Sequence, residues 1–197
     1  MALKKQWYEI VSPKMFGEKV VAETLAVEPK HLVGRKLEVS IVELINDFSK
    51  FYIKLNLQID RIEGQKAYTK LVGHDTMRER IYRMVQRHGR RVDVVEDIKT
   101  KDGVAVRIKI VFVLLRRVGA SMKDASRKAA REKLVEIASA MTFEDLMESI
   151  ISGEFGSIVK KSASKAYPVA SIEVRKTEVL EDKKKGRMEA ALQLQSA

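Results

Sequence analysis

Phe51-Tyr52-Ile53-Lys54-Leu55-Asn56-Leu57-Gln58-Ile59-Asp60 places Phe51, Ile53, Leu55, Leu57 and Ile59 on one side and polar residues or Tyr52 on the other. Successive side chains of an extended chain point to opposite faces, so the stretch predicts a half-buried strand with one wet face. Glu63-Gly64-Gln65 turns the chain, and Ala67 to Val72 returns as its hairpin partner. Downstream, Val92 to Thr100 reads as a strand, Asp102-Gly103 as a hairpin turn, and Val104, Val106, Ile108, Ile110, Phe112 and Leu114 recur at period two. Arg107 and Lys109 lie on the other face, which turns apolar at Val111 and Val113. This strand starts half wet and ends buried on both sides, as a central strand would. Upstream, Leu37, Val39 and Ile41 alternate after Gly34, and Val42 to Asp47 forms a short turn or helix. Residues 1–17 hold Trp7, Tyr8, Pro13, Met15 and Phe16 among lysines and read as an extended arm.

Helical signals fill the rest. Thr76-Met77-Arg78-Glu79 fits a capping box, opening a helix that runs to His88 and stops at Gly89. Ser121-Met122-Lys123-Asp124 offers a second box before a long helix with Ala130, Leu134, Ile137, Ala138 and Met141 inward. Thr142 begins a third, striped by Phe143, Leu146, Met147, Ile150 and Ile151 and closed by Gly153. Gly156 to Ala166 is a further short helix or a loop, Tyr167-Pro168 breaks it, and Ile172, Val174 and Val179 mark a final strand. The expected fold is α+β. A strand-rich, barrel-like domain with one packed helix covers 18–117, and a helical C-terminal part with a closing strand covers 118–180. A mobile charged tail, with Lys183-Lys184-Lys185, covers 181–197.

The charge is concentrated. The 197 residues carry 38 Lys plus Arg against 27 Asp plus Glu, net +11. Residues 76–134 hold 17 basic and 7 acidic side chains, so nearly the whole excess lies in that stretch. A folded block of one sign repels itself unless a polyanion neutralises it. Arginine, with a planar fork that matches phosphate, dominates the block. Arg78 to Arg91 has six arginines against one glutamate. Lys123, Arg127, Lys128 and Arg131 crowd the first half of the long helix, where cations oppose the macrodipole at about 0.3–1 kcal/mol each when exposed. An external anion relieves that cost. The expected RNA contacts are Arg78, Arg80, Arg83, Arg87, Arg90 and Arg91, then Arg116, Arg117, Lys123, Arg127, Lys128 and Arg131. Lys4, Lys5, Lys14, Arg35 and Lys36 extend this set, with Trp7 able to stack on an unpaired base.

Catalytic signatures are missing. There is no cysteine, which excludes disulfides, thiolate metal sites and cysteine nucleophiles. His31, His74 and His88 form no metal-ligand pair, and no phosphate-binding glycine loop or nucleophile elbow occurs. His74-Asp75 resembles a dyad, but helix capping is the better account of His74. Asp93, Glu96 and Asp97 read as polar positions of a strand edge. No catalytic residue, metal or cofactor is expected. No apolar run reaches the length of about 18 residues that a membrane-spanning helix needs. The expected location is the cytoplasm.

Several motifs, in order, carry a resemblance. They are Lys5-Gln6-Trp7-Tyr8 with Pro13 and Met15-Phe16, Gly34-Arg35 with Glu38-Val39-Ser40, and Gly73-His74-Asp75 with Arg78. Asp97-Ile98-Lys99-Thr100 with Asp102-Gly103 and Arg107, then Tyr167-Pro168 and Val174-Arg175-Lys176, complete the set. The chain resembles the archaeal and eukaryotic small-subunit ribosomal protein family S-three-a-e, the eukaryotic-type S-one family. The longer basic N-terminal extension of eukaryotic members is not seen, so an archaeal form is expected. The resemblance implies a non-catalytic constituent of the small subunit that binds ribosomal RNA on the platform near the messenger RNA exit. Neighbouring ribosomal proteins, and messenger RNA near the exit, are the further partners it implies. A free RNA chaperone and an RNA-processing enzyme are the alternatives from other classes.

Overall fold

The computed structural model describes residues 5–180. Among them lie eight strands and five α-helices: β1 (Gln6–Val11), β2 (Val20–Ala26), β3 (Lys36–Ser40), α1 (Ile41–Ile45), β4 (Ile53–Glu63), β5 (Lys66–Thr76), α2 (Arg78–Met84), β6 (Arg90–Lys99), β7 (Ala105–Leu114), α3 (Ala120–Ala140), α4 (Phe143–Ser152), α5 (Glu154–Ala163) and β8 (Val169–Val179). The α+β class is as expected. The alternation that predicted β4 is obeyed from Ile53 onward: Ile53, Leu55, Leu57 and Ile59 are buried and the intervening residues are half-buried, while Phe51, expected on the same face, precedes the strand and is exposed. β7 is also as read, alternating at first and buried on both faces from Ile110 onward. It is central, with β6 on one side and β8 on the other.

All the strands belong to one sheet, and β5 is its branch point. β4 takes the whole of one edge of β5. The other edge is shared: β1 pairs with residues 66–68, and β8 with residues 73–75. Two lobes result, β2-β1-β5-β4-β3 and β8-β7-β6, joined by three pairs, Gly73↔Glu178, His74↔Thr177 and Asp75↔Lys176. Gly73 is required there. A Cβ on it would lie 2.0 Å from the Thr177 carbonyl oxygen, a backbone atom that cannot step aside.

Five local expectations are corrected. The first lobe curls but does not close into a barrel, because among the described residues no ladder joins β2 to β3. Leu32, from the loop between them, fills the curl with Tyr8, Ile10, Ala26, Ile59 and Ala67, so side chains rather than a backbone ladder seal it. Residues 6–11 are a sheet strand rather than an arm, and β2, its antiparallel partner, was not foreseen. Thr76 is not a helix cap. It ends β5, and its hydroxyl donates to the Val174 carbonyl at 2.9 Å, so α2 begins at Arg78 without a side-chain cap. The helix also stops at Met84, short of His88, because the chain must leave it for Gly89 to press against Val113 and Arg90 to pair with Leu114. Ser121 likewise lies inside α3, whose first residue is Ala120 and whose N-cap Gly119 offers no side chain. Thr142 does cap α4, accepting from the Asp145 amide.

The helices α3, α4 and α5 cover one face of β6-β7-β8, against Val92, Val94, Ile108, Ile110 and Phe112. α2 lies against the other face, by β8. The expected boundary at 117/118 is the connection from β7 into α3. The tail expected over 181–197 lies outside the described residues.

Candidate nucleic-acid interface

Strand register gathers Arg90, Arg91, Arg116, Arg117 and the start of α3 at one end of the second lobe, while Lys99 and Lys101 of the same basic stretch lie at its opposite end. Arg90 stands opposite Leu114 and Arg91 opposite Val113, so the start of β6 and the end of β7 coincide. Arg116 and Arg117 leave from that end and are exposed. α3 then runs alongside β6: Arg131 reaches Glu96 at 2.7 Å, and at the far end the Met141 carbonyl accepts from the Lys101 amide. Its basic first half therefore lies at the same pole as Arg90. Its first turn carries no acidic residue to answer the positive end of the helix dipole. On the other face, Arg83 and the exposed segment after α2 with Arg87 border a trough of about 520 Å³, with Lys160 and Ser157 of α5 across from them.

The expected contacts divide by their partners. Arg80 is tied down on the surface, donating to Glu173 at 2.7 and 2.9 Å and lying 4.7 Å over the Tyr52 ring. Hydrogen bonding to Glu173 raises the Arg80 pKa, while burial raises that of the Tyr52 phenol. Arg91 pairs with Asp93, Arg127 with Asp124 and Arg131 with Glu96. Among the described residues, Arg78, Arg83, Arg87, Arg90, Arg116, Arg117, Lys123 and Lys128 have no carboxylate within 4.0 Å. A surface with that many unpaired cations at one pole attracts phosphate.

The remaining expected contacts are not brought there. Lys5 directly precedes β1, and Trp7 lies on it, opposite Leu25 and 59% exposed. Lys14 sits in a short 3-10 turn, Arg35 donates to the Thr24 hydroxyl, and Lys36 pairs with Gln58 on β4. Lys4 lies outside the described residues. Sequence reasoning left Arg175 out of the contact set. It lines a depression with Arg78 and Arg91, and its visible signal was the Val174-Arg175-Lys176 motif.

His74 is neither a dyad nor a cap. It is buried in the seam between the lobes. Its Nε2 lies 3.1 Å from the Val174 carbonyl, which can only accept, so Nε2 carries the proton. Nδ1 then accepts from the Thr177 hydroxyl at 2.8 Å, and that oxygen accepts the His74 amide at 3.0 Å. Burial pushes its pKa down to about 4, so it is neutral at pH 7. The Asp93, Glu96, Asp97 trio is also divided: each carboxylate faces its own arginine, Arg91, Arg131 and Arg107. Hydrogen bonding to Arg107 holds Asp97 below the usual carboxylate range. Among the described residues, no three His, Asp or Glu side chains converge as a metal site.

Comparison with known proteins adds the lineage. The Ribosomal S3Ae family matches residues 2–183. The chain belongs to this family. Relatives called small ribosomal subunit protein eS1 cover most of it. That of Methanothermobacter thermautotrophicus is 38% identical over 179 residues, 91% of this chain and 92% of the relative. That of Methanothrix thermoacetophila is 37% identical over 176 residues, 89% of this chain and 83% of its own. That of Desulfurococcus amylolyticus is 35% identical over the same shares. The expected resemblance therefore holds, and the relatives are archaeal.

Proposed function

We propose that the chain is a structural constituent of the small ribosomal subunit that binds ribosomal RNA through the basic pole of its second lobe. Membership of a family of small-subunit ribosomal proteins supports a structural role rather than an enzymatic one, in the ribosome of the cytoplasm. Neighbouring ribosomal proteins are its further partners. A place on the platform, with messenger RNA close by at the exit, is what the family resemblance implies.

The mechanism is static. Arginines of α2, the start of β6 and the β7–α3 connection neutralise phosphates and fix the path of the RNA backbone. A-form RNA hides its base edges in a deep, narrow groove, so recognition is mainly of shape and phosphate. The observation that carries this is the register Arg90↔Leu114, which brings the start of β6 and the β7–α3 connection together at one charged pole. The exposed aromatics do not favour a single-strand chaperone. Trp7 on β1, Phe48 and Phe51 in one short turn before β4, and Tyr82 on α2 sit on three different parts of the chain, and the depression that Tyr82 lines has no other aromatic among the described residues.

Binding of small-subunit ribosomal RNA by the purified chain tests this. Roughly six to ten phosphate contacts lower affinity by orders of magnitude between about 50 and 200 mM salt. Replacing Arg83, Arg87, Arg116 and Arg117 by glutamine together should flatten that salt dependence. An assembled subunit in which the pole faces bulk solvent overturns the proposal.

A further inference from the structure

A β-bulge on β8 aims a cation at one small depression. Lys109 of β7 pairs with Lys176, but Ile110 pairs with Val174, so Arg175 is an extra residue with no partner on β7. A bulge re-aims the side chains around it. Val174 is buried, whereas Arg175 and Lys176 both stand on the α2 side of the sheet, lining one hollow with Arg78 and Lys109. The bulge is held from behind, because the Val174 carbonyl accepts from both His74 Nε2 and the Thr76 hydroxyl. This irregularity is built into the core.

Arg175 there meets Arg78 and Arg91 around a depression of about 210 Å³, with Ile81 and Tyr82 completing its lining. Asp93 answers Arg91, but among the described residues no carboxylate lies within 4.0 Å of Arg78 or Arg175. Three guanidinium groups converging on so small a space destabilise one another unless an anion enters. Beside them the Tyr82 side chain is 69% exposed, and its hydroxyl has no hydrogen-bond partner among the described residues. An aromatic face next to a cluster of guanidinium forks is what a phosphate with a base attached requires.

We infer that Arg78, Arg91, Arg175 and Tyr82 form a site for one unpaired nucleotide of RNA, an inference that rests on the RNA-binding function proposed above. The guanidinium groups take its phosphate and the Tyr82 ring stacks on its base. A paired base cannot reach the ring, since its faces are covered within the duplex. The site therefore marks a bulge, loop or strand end in the bound RNA.

The test is binding of full-length chain to a transcript of small-subunit ribosomal RNA, measured across a salt series. Tyr82→Leu removes stacking but no charge, so it should weaken binding about 5- to 100-fold with the salt slope unchanged. Tyr82→Phe should match the wild type. Arg175→Gln and Arg78→Gln should weaken binding and also lower the salt slope by about 0.7–0.9 each. All three side chains changed here are on the surface, and circular dichroism checks that each variant folds. Tyr82→Leu within twofold of wild type overturns the nucleotide site. If the arginine variants alone behave as expected, the depression holds a phosphate without its base, and the inference is again wrong. Wild-type binding that is absent or indifferent to salt instead removes the RNA-binding function itself.

Discussion

Acidification should loosen the seam between the two lobes through one imidazole. The unfolded chain exposes His74 with an ordinary pKa of 6.5, while burial in the fold pushes it down to about 4. Between those values the unfolded chain takes up a proton that the folded chain refuses. Stability is thus fully present above pH 6.5 and is lost as the pH falls toward 4. Each tenfold difference in proton affinity corresponds to about 1.4 kcal/mol, so the whole window is worth about 3 kcal/mol. A domain with a total of roughly 5–15 kcal/mol will show this clearly. The groups around the ring are uncharged: Thr177, Thr76 and the Val174 carbonyl. The charges along the seam, Asp75, Lys176 and Glu178, pair among themselves, Lys176 with Glu178 at 2.7 Å and with Asp75 at 3.9 Å, on half-buried positions. The lowered carboxylates, Asp47, Asp97 and Glu178, lose their contribution only below their own ordinary values of 3.8 and 4.5. Urea unfolding from pH 7.5 to 4.5, followed by circular dichroism, measures the slope. Wild type should fall steadily below pH 6.5. His74→Gln should start lower, by about 1–3 kcal/mol for the partners left unsatisfied, and then stay flat over the upper part of the window. A flat wild-type profile, or an equal slope in His74→Gln, would refute the assignment.

Gly73→Ala should destabilise by about 3 kcal/mol or more, beyond the usual cost of overpacking, because the obstructing atom is backbone; urea midpoints decide this, and a loss below about 1 kcal/mol contradicts the close approach. Arg80→Ala should cost about 1 kcal/mol of stability through Glu173 and Tyr52, yet change the salt slope of RNA binding less than Arg83→Ala does. Thr142→Ala should cost about 1 kcal/mol by uncapping α4, whereas Ser121→Ala should stay within about 0.5 kcal/mol, since Ser121 caps nothing. Thermal melts of the two variants side by side measure that contrast.

Periodic burial was legible in the sequence, and tertiary competition for the same atoms was not. β4 and β7 could be read because their alternation reports which face is dry. β2 could not, since only Ala26 of its seven residues is buried and its sequence, Val20 to Ala26, has no dry face to advertise. Both failed capping boxes rest on a local pattern. Thr76 meets that pattern but gives its hydroxyl to Val174, 98 residues away, which no short-range rule detects. The charged stretch was visible as composition, but its compactness follows from the β6–β7 register. Arg175 was missed for the sharpest reason. Its direction depends on a bulge, and one unpaired residue leaves no periodic trace.

The polar seam and the cationic surface are one construction. An apolar joint between β5 and β8 would have served stability as well, yet His74, Thr76 and Thr177 are all buried there. Their hydrogen bonds can be satisfied in only one register, whereas apolar side chains tolerate slippage. Moving β8 by one residue would turn Thr177 and its neighbours to the opposite faces and carry Lys176 toward the helices. Every bond His74 makes to β8 opposes that slip, two of them through Thr177 and one through Val174. The backbone on either side of Arg175 is therefore fixed from the core, through Val174 and Thr177, while its exposed side chain keeps its own rotamers until a partner orders it. On the RNA-binding function proposed above, a backbone already fixed leaves only the ordering of long side chains to offset each phosphate contact.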